Sequence, residues 1–371
     1  MKPLIKYTGG KYDEYKYFSK YLPEKINNYY ETFFGGGGTF FRLHEEKRIN
    51  GKSFINDLST DLMNFYSQIC NNDFKKQLNI LSSVWNEVNK LGNTLNNLYG
   101  NLFIDIILGK REKNELINNE FTEQVENLIN DNTVLVNYNM HGFSLKDRII
   151  GGFNDKINRF IKKDIKDCET DIALKCITTC VCQSFYFIVR DMYNDWLLGN
   201  SMDYSQSEMS SQWFFIREYC FGSMFRFGKD GKFNIPYGGY GYNKKCLQCK
   251  IDAICDESVQ KLFSGVVASC KDFEDAFDCV YEDDDFMFLD PPYDGIFSEY
   301  DNNPFTREDH IRLKKCLDKI KCKWMLVISR TDFIADLYKD YNQIEYNKTY
   351  MYQARGKYDS KNSIHLIIKN Y

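Results

Sequence analysis

A carboxylate, two prolines and a tyrosine follow an apolar stretch near the end of the chain. The residues Asp290-Pro291-Pro292-Tyr293 come directly after the run "FMFL", which is typical of a buried strand. Because proline fixes the backbone, the carboxylate and the ring would be held in place at the mouth of that strand. Taken alone, the motif also fits an ordinary strand end followed by a proline turn.

A run of four glycines marks a second candidate site. The stretch "ETFFGGGGTFF" places Gly35 to Gly38 where a first strand would pass into a helix, and glycines there let the backbone approach a ligand closely. Asp57 closes the next apolar stretch, twenty residues after Gly37, where a carboxylate can accept hydrogen bonds from ribose hydroxyls. The glycines, the strand and the acid together predict a site for an adenosine-type ligand.

Two other nucleotide sites fit the sequence less well. Gly51-Lys52-Ser53 resembles the end of a phosphate-binding P-loop, but Glu46 stands where that motif needs a glycine, and the residues that follow favour a strand over a helix. ATP hydrolysis is therefore not expected. Dinucleotide binding is compatible with the glycines, yet no hydride-transfer site is evident downstream.

Both motifs lie in segments that alternate strands and helices. Residues 28–58 are predicted to form strand, glycine turn, helix and strand, and residues 285–371 to form three strands separated by two helices. Such alternation predicts an α/β fold with a mostly parallel, Rossmann-like sheet covered on both faces. Ligands bind such a sheet beyond the carboxyl ends of its strands.

The middle of the chain has a different pattern. It carries helical periodicity at 61–130 and 165–200, followed by a tract rich in glycine and aromatic residues. We therefore predict a catalytic domain in two parts, 1–58 and 266–371, interrupted by an inserted, mainly helical domain at 59–265.

Composition restricts the class of protein. The chain has 371 residues, of which 43% are hydrophobic, and can bury a large core. Its first residues lack the apolar segment of a secretory signal, and no uncharged apolar run is long enough to cross a bilayer, so we expect an intracellular protein without a membrane partner. The net charge of −4 is not that of a generally basic nucleic-acid binder.

Charge is unevenly distributed, however. Between residues 217 and 250, seven basic side chains and two acidic ones are interleaved with phenylalanines and tyrosines, a mixture suited to phosphates and to stacking on bases. Residues 271–285 carry eight acids against one lysine, and we interpret that run as a solvated face.

The thirteen cysteines are more typical of reduced thiols than of a disulfide framework in an intracellular protein. Cys246 and Cys249 have the spacing of a zinc-ligand pair, with Cys255 and Cys270 further on. Because the second pair is not closely spaced and no histidine lies nearby, unlinked thiols are favoured over a structural zinc, and no metal is expected.

Four stretches resemble, in order, the Dam-type adenine-specific DNA methyltransferases, an alpha group of amino methyltransferases with FxGxG and DPPY motifs. The stretches are "IKYTGGK" at 5–11, "ETFFGGGG" at 31–38 with "NDLS" at 56–59, "RFGKDGKFNIPYG" at 226–238, and "DPPY" at 290–293. The likeness leaves residues 60–215 unmatched. It implies an enzyme of the restriction-modification type that transfers a methyl group from S-adenosylmethionine to the exocyclic amine of adenine in a short duplex DNA sequence.

The resemblance also implies roles for individual residues. Asp290, Pro291, Pro292 and Tyr293 would form the catalytic motif, and Asp290 would touch the cofactor as well. The residues implied in binding S-adenosylmethionine are Tyr7, Gly9, Gly10, Lys11, Phe34, Gly35, Gly37 and Asp57. The inserted domain would recognise double-stranded DNA, and the residues implied in that contact are Arg226, Lys229, Lys232, Asn234 and Tyr237.

The implied reaction explains why a carboxylate, two prolines and a tyrosine would be needed together in the DPPY motif. An exocyclic adenine amine is a poor nucleophile because its lone pair is delocalised into the ring. If Asp290 and the carbonyl of Pro291 accept its two N–H groups, the nitrogen becomes more tetrahedral and its lone pair can face the methyl group. The base must leave the duplex to reach this site, and Tyr293 can then stack on the flipped-out base. The methyl group is transferred directly.

The sequence departs from the family pattern at several positions. Gly222-Ser223 replaces an Asn-Gly pair, Gly228 replaces an asparagine, His365 stands where a glutamate is usual, and "SRTD" at 329–332 replaces a serine-asparagine pattern. These changes leave the target sequence open. A cytosine amine or an RNA adenine could be the methyl acceptor instead, and a DNA-binding relative without catalysis is the alternative from another class. No obligate protein partner is evident.

Overall fold

The computed structural model describes residues 1–7, 9–162, 170–200, 203–277, 281–294, 305–349 and 362–371. Its backbone packs as two units, one formed by Met1–Cys70 with Asp256–Tyr371 and the other by Asn71–Cys255. The first unit thus contains both chain ends, and the second is an insertion within it. The insertion begins later and ends earlier than the predicted 59–265. Residues 60–68 pack with residues 266–269 of the first unit, and Phe263 contacts Phe40 and Tyr66 there.

A sheet of seven strands runs through the first unit in the described parts of the chain. The strands are β1 (Tyr29–Glu31), β2 (Ser53–Asn56), β3 (Val266–Ser269), β4 (Phe286–Leu289), β5 (Lys323–Ser329), β6 (Asn342–Thr349) and β7 (Asn362–Lys369). Their order across the sheet is β3-β2-β1-β4-β5-β7-β6. Only the β5–β7 and β6–β7 pairs are antiparallel, which confirms the mostly parallel α/β sheet.

Two of these strands were not predicted. Strands β3 and β6 form the two edges of the sheet, and β3 is only partly buried. An edge strand carries many polar side chains, as in the "NQIEYNKT" of β6, so it lacks the apolar run that identified the inner strands.

Fifteen α-helices lie within the residues that the structure describes. They are α1 (Tyr15–Phe18), α2 (Gly38–Glu45), α3 (Thr60–Gln68), α4 (Asn72–Ile107), α5 (Asn119–Asn130), α6 (Thr133–Asn137), α7 (Leu145–Lys162), α8 (Thr170–Leu197), α9 (Gln206–Tyr219), α10 (Tyr240–Asn243), α11 (Leu247–Cys255), α12 (Glu257–Phe263), α13 (Phe273–Ala276), α14 (Arg307–Leu317) and α15 (Asp332–Leu337). None of the described helices has the length and apolar character needed to cross a membrane.

The strand order brings three loops together at one edge of the sheet. β1 pairs in parallel with β2 on one side and with β4 on the other. From β1 the chain proceeds outward to β2 and β3, whereas from β4 it proceeds the other way to β5, so the order reverses between β1 and β4. The glycine run, Asp57 and Asp290 follow β1, β2 and β4, and they therefore lie at the switch point where such sheets bind ligands.

The acidic run before β4 is more than a solvated face. Asp285 is 1% exposed, and its carboxylate accepts hydrogen bonds from the Asn27 side-chain amide and the Asn28 backbone N–H, both at 2.9 Å. Asp272 pairs with Arg312 at 2.8 Å. Asp285, at the start of β4, thus satisfies two donors beside a buried strand, whereas Asp272 belongs to a partly exposed ion pair.

The second unit is a helical bundle around aromatic side chains. The long helix α4 packs along α8 and α9, with the buried Trp85 indole against the rings of Phe215 and Tyr219. Helices α7 and α9 lie outside the two ranges where helical periodicity was predicted. The aromatic and small polar residues of α9 are buried around its whole circumference, which hides a one-sided pattern.

A β-hairpin follows α9 in the predicted tract. Phe227 pairs with Phe233 in antiparallel fashion, and the Gly228 N–H donates to the Lys232 carbonyl at 2.8 Å across the turn. Gly231 completes the turn with φ of +75°, a conformation that favours glycine.

Asn194 of α8 fastens this hairpin to the bundle. Its side-chain amide donates to the Phe233 carbonyl at 3.1 Å and accepts from the Phe233 N–H at 2.8 Å, and both groups are buried. The Tyr186 hydroxyl, also on α8, donates to the carbonyl of Ile235, two residues after Phe233, at 2.9 Å. Helix α8 therefore supplies the hydrogen bonds that a third strand would give.

Cys246 and Cys249 are joined by a disulfide at the start of α11, where their Cα atoms lie 5.4 Å apart. The expectation of unlinked thiols was therefore wrong for this pair, because one helical turn brings side chains three positions apart together. Cys255 and Cys270 are free thiols. Among the residues described, no cluster of three or more potential metal ligands is found.

Replacing Asn194 with alanine should destabilise the protein by about 2–5 kcal/mol, because the N–H and C=O groups of Phe233 would be buried without partners. Urea denaturation followed by circular dichroism would measure the loss. Asn158→Ala is the matched control. This exposed amide accepts a hydrogen bond from Lys113, and its loss should cost less than about 0.5 kcal/mol. Equal midpoints for the two variants would contradict the role of Asn194.

Candidate active site

The ammonium group of Lys11 connects the start of the chain to the DPPY motif. Lys11 is 2% exposed, and its Nζ lies 2.5 Å from Asp290 Oδ1, 2.9 Å from the Tyr293 hydroxyl and 3.2 Å from the Gly9 carbonyl. An ammonium has three donors, and these three acceptors match them. The turn at Gly9 and the end of β4 are thereby fixed to each other.

The charges of this pair follow from its surroundings. Burial lowers the pKa of Lys11, but Asp290, Tyr293 and Glu14 together raise it above its ordinary value, so the ammonium stays charged. Burial raises the pKa of Asp290 to about 6, although Lys11 acts in the opposite direction. Asp290 is therefore a carboxylate above about pH 6. Its Oδ2 receives no hydrogen bond from the described residues, whereas Oδ1 is held by Lys11.

The glycine turn is closed by Asp57. The carboxylate accepts the Gly35 N–H at 2.9 Å on one oxygen and the Ser59 N–H at 3.0 Å on the other. Gly35 and Gly37 have φ of +50° and +65°, which side chains other than glycine rarely adopt. The predicted acid thus lies beside the predicted turn and holds its shape.

Aromatic rings line the same turn. A Cβ atom on Gly35 would lie 3.0 Å from the Tyr7 ring, and one on Gly37 would lie 2.5 Å from the Phe34 ring. Phe34 is 2% exposed and packs edge-on against Tyr66, so its ring supports the turn from the core. Of the predicted cofactor residues, Tyr7, Gly9, Gly10, Lys11, Gly35, Gly37, Asp57 and Asp290 all lie in the loops at this edge.

Glu31, at the end of β1, was not among the predicted site residues. It is 3% exposed and accepts a hydrogen bond from the Tyr29 hydroxyl at 2.8 Å. Burial, with the carboxylates of Asp290 and Asp57 nearby, raises its pKa well above the ordinary value. The signal in the sequence was an acid that closes the first strand directly before the glycines.

Glu14 was also missed, and the sequence gives no motif for it. Its carboxylate pairs with Lys348 at 2.5 Å, accepts the Tyr346 hydroxyl at 2.9 Å and lies 3.6 Å from Nδ1 of His365. These partners come from β6 and β7, and β6 was not predicted. Directly after Tyr293, the Asp294 carboxylate accepts a hydrogen bond from the Thr331 hydroxyl at 2.8 Å.

The predicted DNA-binding residues divide into two groups within the second unit. Arg226, Lys229, Lys232 and Asn234 are exposed on the hairpin. Tyr237, by contrast, is only 6% exposed, and its hydroxyl donates to Asn243 at 2.7 Å. Tyr237 therefore supports the hairpin from the core and does not face solvent, a correction to the predicted set.

Not every basic residue of the tract is on the surface either. Arg217 is 4% exposed, with its guanidinium over the rings of Trp213 and Phe225. Phe221, at the start of the tract, is by contrast 53% exposed. The surface of the tract thus combines four polar or basic side chains on the hairpin with an exposed aromatic ring beside them.

Comparison with known proteins shows the family of the chain. The family described as D12 class N6 adenine-specific DNA methyltransferase matches residues 7–151 and 145–352. The chain is 26% identical over 374 residues to the Type II methyltransferase M.CviBI of Paramecium bursaria Chlorella virus NC1A, with all of both chains covered. It is 25% identical over 389 residues to the Type II methyltransferase M.MjaIII of Methanocaldococcus jannaschii, with 100% of this chain and 99% of the relative covered.

Replacing Lys11 with methionine should destabilise the protein by about 2–4 kcal/mol at pH 8, because the partly buried Asp290 carboxylate, 18% exposed, loses its partner. Lys11 lowers the pKa of Asp290, so its removal raises that pKa further above 6. At pH 5 Asp290 is then protonated and neutral, and the loss should be smaller. Urea denaturation of both proteins at the two pH values tests this, and a loss that does not change with pH would contradict the pairing.

Proposed function

The chain belongs to the D12 class of N6 adenine-specific DNA methyltransferases, enzymes that use S-adenosylmethionine to methylate adenine in DNA, and we propose that Asp290, held by Lys11, orients the adenine amine in this protein. The observation that carries the proposal is the contact of Lys11 with both Asp290 and Tyr293 at the switch point of the sheet. The cluster provides an ionised acceptor and an aromatic ring in fixed positions.

The loops beside this cluster suit S-adenosylmethionine, which supplies an electrophilic methyl group when bound. The backbone at Gly35 and Gly37 lies in the left-handed region that favours glycine, so these two positions carry no side chain of their own. Asp57 places a carboxylate at the end of β2, and carboxylates at this position of the sheet accept ribose hydroxyls. We assign Tyr7, Lys11 and the Gly9-Gly10 turn to the same site, where they would bound it on the side of the N-terminal segment.

Asp290 would act on the nucleophile. One oxygen is fixed by Lys11, which leaves Oδ2 to accept one N–H of the adenine amine, while the Pro291 carbonyl accepts the other. These two hydrogen bonds would favour a tetrahedral nitrogen whose lone pair can face the methyl group that S-adenosylmethionine would supply. The amine gives up one proton in the process, and the carboxylate is the acceptor at hand.

Tyr293 would hold the base. Its hydroxyl accepts from Lys11, and its ring lies edge-on to His365 at 5.4 Å, so the ring orientation is fixed before a base arrives. Stacking of a base on a tyrosine contributes about 1–3 kcal/mol. Since an amine inside a duplex cannot reach such a pocket, the adenine must be flipped out.

The hairpin of the second unit would contact duplex DNA. Lys229 and Lys232 flank its turn and can meet phosphates, whereas Arg226 can reach base edges. The Arg226 guanidinium lies 3.4 Å from the Asn234 side-chain oxygen, an arrangement that directs both side chains outward from the same strand pair. The Type II relatives support recognition of a short sequence, in the manner of restriction-modification enzymes.

The direct test is to incubate the protein with mixed-sequence duplex DNA and S-adenosylmethionine carrying a labelled methyl group, and then to map the label. We expect N6-methyladenine within one short sequence. Label on cytosine, or on RNA in a parallel incubation, would overturn the assignment of the substrate.

Asp290→Ala should lower methyl transfer at least about 100-fold, because the amine loses the acceptor that orients it. Single-turnover assays on the mapped DNA would measure the rate. Asp332→Ala is the control, since this acid follows β5 at the same edge of the sheet but its side chain is 98% exposed. More than a tenth of the wild-type rate in the Asp290 variant would remove Asp290 from the reaction.

Lys232→Ala and Arg226→Ala should separate two kinds of DNA contact. Loss of a phosphate contact weakens binding to all sequences about equally and lowers the salt dependence by about one counterion. Loss of a base contact at Arg226 should instead reduce the preference for the cognate site by about 1–3 kcal/mol. Titrations with cognate and scrambled duplexes at two salt concentrations would distinguish them.

Lys339→Ala, in the first unit, is the charge-matched control for these titrations, because this lysine is exposed and paired with Asp336. Wild-type behaviour of both hairpin variants would move DNA recognition to the helices at 60–215.

A further inference from the structure

Glu14 is a buried carboxylate with an elaborate set of partners. Its side chain is 6% exposed. Oε1 pairs with the Lys348 ammonium at 2.5 Å, and Oε2 accepts the Tyr346 hydroxyl at 2.9 Å, with Nδ1 of His365 at 3.6 Å. A carboxylate removed this far from water stays ionised only with such partners. Burial raises the pKa of Glu14, but Lys11 and Lys348 lower it below its ordinary value, so it is negatively charged.

The same carboxylate faces the ion pair of the active site. Lys11 Nζ lies 2.5 Å from Asp290 and 3.9 Å from Oε1 of Glu14. Since Lys348 also pairs with Oε1, four charges of alternating sign follow one another: Asp290, Lys11, Glu14 and Lys348. Charges in a poorly hydrated site interact more strongly than charges at the surface. A change in the charge of Glu14 or Lys348, the outer pair, therefore changes the electrostatic potential at Asp290.

We propose that Glu14 and Lys348 are positioning residues that set, through Lys11, the orientation and charge of the Asp290 carboxylate during methyl transfer. The idea rests on the proposed function, because it takes from there the role of Asp290 toward the amine. When the amine occupies one oxygen of Asp290, the Lys11 ammonium still has a second carboxylate beside it. Because Glu14 shares the Lys11 ammonium, Lys11 can hold Asp290 in place without neutralising the whole negative charge of Asp290.

The two outer residues act on Asp290 with opposite sign. Burial raises the pKa of Asp290 to about 6, Lys11 and Lys348 lower it, and Glu14 raises it. Among the described residues, the other titratable groups that face this network include Tyr293, Tyr346, His365 and Glu31. Burial lowers the pKa of His365 to about 4, so its imidazole is neutral where Asp290 titrates. A rise in activity near pH 6 would therefore report Asp290 and not the histidine.

The test is the pH dependence of kcat/KM for methyl transfer by the full chain between pH 5 and 8. Wild-type activity should rise with pH through a midpoint near 6 as Asp290 ionises. Glu14→Gln removes a negative charge and should move the midpoint to lower pH, whereas Lys348→Gln removes a positive charge and should move it to higher pH. Each shift should be about half a unit or more. The double variant should return the midpoint toward that of the wild type.

Glu46→Gln is the matched control. Glu46 also accepts a tyrosine hydroxyl, that of Tyr15 at 2.8 Å, and pairs with Arg48, but it belongs to a separate ion pair. Its variant should keep the wild-type midpoint. If Glu14 merely fastened β6 to the start of the chain, Glu14→Gln and Lys348→Gln would be less stable, but the pH midpoints of their activity would not move. That result would overturn the inference. Midpoints that shift in the same direction would do so as well.

Stability and function can be kept apart in this experiment. Should Glu14→Gln fail to fold, Lys348→Gln and Tyr346→Phe still report on the network from β6, and an unchanged midpoint in both would reject it. Asp290→Ala tests the proposed function separately. If that variant is inactive while the outer variants keep the wild-type midpoint, the positioning role fails and the catalytic role of Asp290 stands.

Discussion

The burial of the Lys11 ammonium is the constraint on which the site depends. A charge that is 2% exposed must find partners for every donor, and leaving it unpaired would cost several kcal/mol. Its partners lie in a turn near the start of the chain and at the end of β4. The N-terminal segment therefore lies against the carboxyl edge of the sheet, where it covers the glycine turn. The same ion pair fixes the Asp290 carboxylate, to which we assign the orientation of the amine.

Three acids end three neighbouring strands at this edge, and their surroundings give each a different state. Asp57 accepts two backbone N–H groups and shapes the turn. Glu31 is buried beside other carboxylates, which makes its ionisation unfavourable. Asp290 has an ammonium at 2.5 Å and remains ionised above about pH 6. One sheet edge thus holds three acids of similar chemical type in three different environments: one bound to backbone N–H groups, one buried beside other carboxylates, and one paired with an ammonium.

Much of this edge could be predicted from the sequence, because the inner strands and the loops after them are local patterns. The apolar run before Asp290 and the glycines after β1 identified both strands and their order along the chain. Glu14 could not be found in this way, since its partners lie on β6 and β7, more than 300 residues further on. Neither composition nor a motif resemblance separates exposed from buried aromatic residues, so Tyr237 was grouped with the hairpin residues that face solvent. The role of Asn194 could not be predicted either, because it depends on a contact with the buried backbone of Phe233, 39 positions further on.

The division of the first unit between the two ends of the chain has a consequence for its biogenesis. Lys11 and Asp290 are 279 positions apart, and at about 5–20 residues per second the ribosome needs roughly 15–60 s to make that span. Meanwhile Asn71–Cys255 emerges as one contiguous segment that can acquire its helical packing. β1 pairs with β4 on one side, so that side stays open until the last third of the chain arrives. A nascent chain that stalls before β4 would leave one side of β1 without its partner strand, and an unpaired strand edge is a site for aggregation.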